Sequence, residues 1–370
     1  MMRTGGRGVP GAGSLGGVAL LAAVVLSAVS FAGAEEPSTV ALLPFENVSG
    51  RVQSVRVIMP AVARALQDRG YRLVDPDRLE ASLARNRIRD TGQLSRTQAA
   101  ALRRDLGVGV AMVGSVAIFN DSAENPQWGL SARFLATESG AIVWAGSVGL
   151  TGDDFTVALG LGTVTSSARL AEETATDLLR DLPRAGEPLR MPTGGRGLLP
   201  RLFSPKASYR SPALTSDPPK RVAVLLFENL SERKGAGRIV TDVFVTALAR
   251  SGRFDVVEPG TVTEALVAAG AVPYGNIDFE TLVAVRQRLE ADAVILGTVF
   301  NYSEGLKRTA TTSPEVAFDA RMLDAETGRV LWVAERVRNG DDSQIALHFG
   351  KIRAVVPLVL RVADEMVETL

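Results

Sequence analysis

The side chains that could do chemistry are few. His348 is the single imidazole in 370 residues, and there is no Cys. Disulfides, thiol catalysis and Cys-based or multi-His metal sites therefore lie outside the chain's means. Adjacent aspartates occur twice, at Asp153-Asp154 and Asp341-Asp342. Such pairs can contribute to a cation site or, at a helix start, cap free N–H groups and favour the helix dipole. Gly160-Leu161-Gly162 has the composition of a phosphate loop, but it falls inside an expected final helix rather than between strand and helix. The Walker spacing before Gly350-Lys351 places Ile345 where glycine is required. There is no Gly-x-Ser-x-Gly elbow. Glu46 and Glu228 recur after an apolar run, where a turn role is simpler than a catalytic one. His348 aligns with Gly160, so the fold does not require an imidazole there. This inventory predicts no enzyme, no cofactor, no metal and no small-molecule substrate.

The recurrence of Glu46 and Glu228 belongs to a larger pattern. TVALLPFENVS (39–49) returns as RVAVLLFENLS (221–231), and LATESGAIVW (135–144) returns as LDAETGRVLW (323–332). Between these anchors, Val74-Asp75-Pro76 matches Val257-Glu258-Pro259, and Gly114-Ser115-Val116 matches Gly297-Thr298-Val299. The order is kept while the offset drifts only from 182 to 188. Phe45, Asn47, Gly140 and Trp144 of the first copy thus mark the same places as Phe227, Asn229, Gly328 and Trp332 of the second. Each copy is about 145 residues, too long for a solenoid unit that needs neighbours to bury its core.

The second copy shows which elements must carry these markers. Val222 to Phe227 is a short apolar run suited to a strand buried on both faces. Ile239, Val243, Ala247 and Leu248 follow helical spacing, and Gly252 stands where such a helix stops. Asp255 to Glu258 reads as a short strand ended by Pro259. Two helices follow, one with Val262, Leu266 and Val267, the next with Phe279, Leu282, Val285 and Leu289. Ala293 to Val299 is a strand. Val316, Phe318, Ala320 and Met322 alternate onto one face of another, and Val330, Trp332 and Ala334 carry the return strand. The turn between them gives Gly328 a positive φ. Asp341 or Asp342 is placed to cap a long last helix. The order β-α-β-α-α-β-β-β-α predicts an α/β fold: two tandem copies of a mixed β-sheet with flanking helices. Both Trp residues are expected to pack on their sheets.

The remaining stretches are read by composition. Arg3 and Arg7, an apolar run from Val18 to Val29 and Ala32-Gly33-Ala34 form a signal peptide, cleaved after Ala34. The run is too short for a spanning helix, which needs roughly 20 residues. Residues 183–220 hold eight of the 18 prolines and read as a semi-extended linker between domains 35–182 and 221–370. Its charges Arg196, Arg201, Lys206 and Arg210 could contact an anionic wall or lipid surface, but a solvated linker is the simpler reading. Lys+Arg and Asp+Glu are both 41, and aromatics are 5%. No field or stacking platform favours nucleic acid.

VAVLLFENLS, FDVVEP, LEADAVILGTVF and VAFDARMLDAETGRVLW together resemble the TolB amino-terminal-domain, CsgG and LpoB-like superfamily, in both copies. The resemblance implies the TolB-N/CsgG-like fold and a non-catalytic envelope protein that binds other proteins. It equally implies a self-assembling secretion or scaffold component of the CsgG kind, a homo-oligomer. Pore strands need roughly 9–11 alternating residues. The corresponding connections, FNDSAENPQW (119–128) and NYSEGLKRTATTS (301–313), are short and polar. With no Cys for acylation, the expectation is a periplasmic protein that is not a lipoprotein.

Overall fold

The computed structural model describes residues 39–156, 162–192, 207–272, 277–307, 310–311, 313–344 and 350–370. The expected signal peptide, His348, Gly160, Leu161, Arg196, Arg201 and Lys206 lie outside them.

Copy 1 runs β1 (Thr39–Leu42), β2 (Glu46–Asn47), α1 (Gln53–Asp68), β3 (Arg72–Leu73), α2 (Pro76–Arg85), α3 (Arg96–Leu106), β4 (Val110–Asn120), β5 (Gln127–Ala136), β6 (Ile142–Thr151) and α4 (Ser167–Leu178). A strand and a short helix from the expected linker follow, β7 (Tyr209–Arg210) and α5 (Ala213–Ser216). Copy 2 repeats the series as β8 (Arg221–Val224), β9 (Glu228–Asn229), α6 (Ala236–Ser251), β10 (Asp255–Val256), α7 (Pro259–Ala268), α8 (Phe279–Leu289) and β11 (Ala293–Ser303). It adds a small hairpin, β12 (Leu306–Lys307) and β13 (Ala310–Thr311), and ends with β14 (Glu315–Asp324), β15 (Val330–Asn339) and α9 (Val355–Val367). The expected α/β order holds in both copies, with one extra two-residue strand in copy 1 (β2) and three in copy 2 (β9, β12 and β13).

Sheet 1 has the order β3-β1-β4-β5-β6, and sheet 2 the order β10-β8-β11-β14-β15-β7. The first three strands of each are parallel, and the hairpin strands are antiparallel. Local chemistry explains the joints. Asp75 caps α2 by accepting from the Arg78 N–H, with Pro76 at the first helical position. Ser95 and Gln98 form a capping box on α3. Gly140 and Gly328 take φ of +73° and +69° in the two hairpin turns, where an L side chain would be strained.

Two expectations need correction. The paired carboxylates do not cap the last helices. They sit in separate 3-10 turns, Gly152–Phe155 and Gly340–Ser343. Asp154 there accepts from the Thr151 N–H at 2.7 Å, and Asp342 from the Asn339 N–H at 2.9 Å. Gly162 precedes α4, so it lies outside the helix in which it was expected. Second, the proline-rich stretch is structured at both described ends. Ala185 and Leu189 pack on the copy 1 core, where Tyr71 donates to the Pro183 carbonyl. β7 adds an edge strand to β15, and α5 tucks Leu214 into the copy 2 core. Pro212 follows β7 and stands at the N-cap of α5, a position where a missing N–H costs nothing.

The layers stack. α1 and α4 cover one face of sheet 1, and α2 and α3 cover part of the other. The rest of that second face is covered by α6 and α9, whose opposite side packs on sheet 2. α7 and α8 cover part of the far face of sheet 2.

Candidate functional site at the seam between the copies

The repeated markers serve the scaffold. Phe45 and Phe227 are buried, and each fills the space left by a glycine in the neighbouring strand, Gly114 and Gly297; a Cβ on Gly114 would stand 2.8 Å from the Phe45 ring. Asn47 and Asn229 each staple a loop, accepting from Ser49 or Ser231 and donating to the carbonyl of Arg51 or Arg233. Trp144 stacks edge-on against Phe134 at 5.7 Å, and Trp332 donates to Thr369 Oγ1 at 2.8 Å. Both are packed on their sheets as expected. Arg210 lies on β7 with its guanidinium on the Leu370 carbonyl and Thr215, engaged within the chain.

The ionisable residues that the fold does bring together lie at the seam. Three rows cross sheet 1 and face copy 2: Ile118, Gly129 and Gly149; Ser115, Ser131 and Ser147; Val113, Arg133 and Ala145. The first row is low because the helix above comes close. A Cβ on Gly129 would stand 2.7 Å from Val356, and one on Gly149 2.7 Å from Pro357, both of α9. The second row is hydroxylated. Ser115 donates to Asp242 at 2.7 Å, and Ser147 to Thr246 at 3.1 Å, both on α6. In the third row Arg133 is fully buried and makes four hydrogen bonds from its five N–H donors. It holds Glu258 through two hydrogen bonds of 2.9 and 3.1 Å, Asp242 at 3.1 Å and the Gly92 carbonyl at 3.1 Å. This bidentate fork is the geometry that only arginine supplies.

Arg238 extends the network, lying 3.3 Å from Asp242 and 2.8 Å from Glu46. The Glu46 contact is an ion pair too poorly aimed for a hydrogen bond. Glu46 therefore belongs to the seam, while its counterpart Glu228 is exposed. Burial raises the pKa of Glu258 and of Glu46, opposed in part by Arg133 and Arg238 respectively. Burial would raise Asp242 too, but Arg238, Arg133 and the Ser115 hydroxyl outweigh it and hold it below its ordinary range. Around the ions, Arg233 reaches the Ala117 and Val48 carbonyls, and the Arg96 N–H donates to Thr261. At the centre of the cluster Arg133, Asp242 and Glu258 are at most 1% exposed, while Arg238 and Glu46 at its edge are partly exposed. Its chemistry is cohesion between copies.

Arg133, Asp242, Arg238 and Glu258 were not singled out from the sequence. Gln127, Gly129, Ser131 and Arg133 alternate like the solvent face of a half-buried strand. The available signal was comparative: β5 carries Gly129 and Ser131 where β14 carries Ala317 and Asp319, while Arg133 and Arg321 are the same residue at equivalent places.

Among solved structures, the chain is similar to a PelC dodecamer from Paraburkholderia phytofirmans, at 16% identity over 41% of this chain and 87% of that one, TM-score 0.28. It is similar to lipoprotein GNA1162 from Neisseria meningitidis, at 17% identity over 31% and 83%, TM-score 0.27. It is also similar to the LpoB C-terminal domain from Escherichia coli, at 16% identity over 32% and 83%, TM-score 0.26. No curated protein matches. The family match contradicts one expectation, that the chain is a periplasmic protein and not a lipoprotein, which rested on the absence of a Cys for acylation. Residues 209–369, from β7 through α9, match the family described as "Putative lipoprotein GNA1162-like".

Proposed function

We propose that this chain is a non-enzymatic adaptor of the cell envelope, binding other proteins during envelope assembly or its regulation. The observation that carries the reading is the fate of the strongest ionisable cluster. Arg133, Asp242 and Glu258 are at most 1% exposed and satisfy one another, so they weld the copies rather than meet a substrate. The kinship of copy 2 with a lipoprotein family supports the envelope setting. The competing reading is self-assembly of the CsgG kind. The outward residues of α1, namely Gln53, Arg56, Pro60, Arg64 and Gln67, are exposed and mostly polar, unlike the buried residues of α6. Apart from Val52 at its start, this helix offers no exposed apolar stripe to continue the seam among the described residues, which favours the adaptor.

The test is in-cell crosslinking of a C-terminally tagged full chain in its native host, with mass spectrometry of the envelope fraction. A defined, stoichiometric partner protein is expected. Recovery of the chain alone, as a ring-sized species in sedimentation velocity, would replace this reading with self-assembly.

A further inference from the structure

Given the adaptor reading, the repeat indicates how a partner is held, through a strand that copy 2 has and copy 1 lacks. In sheet 2 the outer edge of β15 is covered by β7, antiparallel, with Arg210 opposite Trp332 and Tyr209 opposite Val333. The Ser208 and Ser211 N–H groups each donate at 2.8 Å, to the Val333 and Leu331 carbonyls. In copy 1 the counterparts of Leu331, Trp332 and Val333 are Val143, Trp144 and Ala145 of β6. β6 ends sheet 1, and among the described residues no strand pairs with its outer edge. The offset of 182 that relates β8 to β1 carries β7 back onto Ser27 and Ala28, outside the described residues and within the segment read as a signal peptide. With that segment cleaved, the chain keeps no counterpart of β7.

Two further observations mark this edge as a slot. A cavity of about 210 Å³ is lined by both faces of β6, Trp144 and Gly146 on one and Ala145 and Ser147 on the other. It therefore runs beside the strand, where a further strand lies in copy 2, and not over either face. The second observation is the Trp144 indole N–H, which is buried with no acceptor among the described residues. Trp332 donates to Thr369, and Trp128 to the Ser167 carbonyl. Asp181 stands where copy 2 has Thr369, but its carboxylate lies 3.9 Å from Arg250 and leaves the indole alone. The Trp144 ring forms part of the slot wall at Gly146, where an added Cβ would stand 3.0 Å from Cζ2. Ala145 is fully buried too, and the β15 pattern turns its N–H and C=O into the same slot. Buried donors and acceptors without partners are costly, so the slot favours an occupant that satisfies them.

We infer that the β6 edge takes an extended segment of a partner protein as an added antiparallel strand. Its main chain bonds Ala145, as Ser208 bonds Val333. Its residue opposite Trp144 carries a side-chain oxygen that accepts the indole N–H. Asp177 and Asp181 around the slot are matched by Arg180 and Arg250, so that residue is neutral: Asn, Gln, Ser or Thr. A second folded copy does not fit. Trp144 and Ala145 are at most 1% exposed, so the edge is recessed. A strand embedded in another sheet would bring its own flanking helices against Arg180 and Asp181 at the mouth.

The experiment replaces Arg180, which lines the slot and is exposed, by the photocrosslinker p-benzoylphenylalanine in the full chain in its native host, with a control at Arg56. Crosslinks from 180, and not from 56, are expected to map to one segment of a different protein. That segment, as a synthetic peptide, is expected to bind the purified full chain and to shift the Trp144 fluorescence in a Trp128→Phe, Trp332→Phe background. Only alternate N–H groups of an added strand face the edge. Methylating the peptide nitrogen opposite the Ala145 carbonyl should therefore weaken binding by about tenfold or more, and methylating the next one by less than about twofold. Trp144→Phe keeps a ring and drops the N–H, and should weaken binding about three- to tenfold. Binding indifferent to methylation, or crosslinks only within the chain or to a second copy, overturn the proposal. If the tagged chain recovers a partner while 180 stays silent, the edge is wrong and the adaptor stands. If neither recovers one, the adaptor reading fails as well.

Discussion

Removing Arg133 leaves two buried carboxylates, Asp242 and Glu258, without their shared cation. A buried charge stripped of its partner costs about 3–5 kcal/mol, whereas replacing a whole buried ion cluster by apolar residues is often neutral or better. Arg133→Ala is therefore expected to destabilise the chain by about 3–5 kcal/mol in urea unfolding. The triple variant Arg133→Met, Asp242→Leu, Glu258→Met should recover most of that loss; a triple variant no better than the single would show that packing, not charge, dominates. Acid sensitivity divides among the carboxylates. Asp242, held below its ordinary value of 3.8, contributes stability that is present above that value and lost as pH falls through its folded pKa. Glu258 and Glu46, raised by burial above 4.5, act oppositely: their contribution is full below 4.5 and declines as pH rises through the folded values. The acid limb of the stability curve below about pH 4 is thus shared by Asp242 with Asp105 and Asp278, which hydrogen bonds from Asn86 and from Thr281 also hold low. Asp242→Asn should flatten that limb while lowering the neutral plateau, as read from urea midpoints between about pH 3 and pH 7. An acid limb of unchanged steepness would contradict the assignment.

At the scale of elements, the hairpins were legible and the seam was not. Val316, Phe318, Ala320 and Met322 announce their strand by a period of two, and all are buried as the period requires. Gly328 and Gly252 announced positive φ, and both have it. The reverse face of β5 carries no such signal, because Gly129 and Ser131 look like a weak strand until a helix is seen to lie on them. The long final helices were overdrawn for a related reason: a carboxylate pair is a cap wherever N–H groups are free, and 3-10 turns have free N–H groups too. Seam closeness can be tested directly. Gly129→Val and Gly149→Val push against Val356 and Pro357, and each should cost about 1–3 kcal/mol through overpacking. Val337→Gly, at the equivalent place in copy 2, removes an exposed side chain from an edge region and should cost less than about 1 kcal/mol. Thermal melts of the three variants rank them; equal losses would mean that the two faces are packed alike.

For the molecule as a whole, the seam makes the second copy's principal helix a shared core element. In α6 the residues Ile239, Val240, Val243, Phe244 and Ala247 are buried between two sheets, and only one of those sheets belongs to its own copy. Tandem domains joined by a small polar contact unfold independently, but a contact that completes a core couples them. The chain's three tryptophans allow this to be read out by copy. Trp332 alone, after Trp128→Phe and Trp144→Phe, reports copy 2; Trp332→Phe leaves only copy 1. Urea midpoints from the two fluorescence reporters should coincide within error in an otherwise native chain, since losing either sheet exposes α6. Adding Arg133→Ala to both backgrounds should pull the midpoints apart, because the cation that both copies share is gone and each sheet then falls back on its own helices. Midpoints that differ before that substitution would mean that the copies are independent bodies. In that case the buried network is a local ion cluster with no role in joining them.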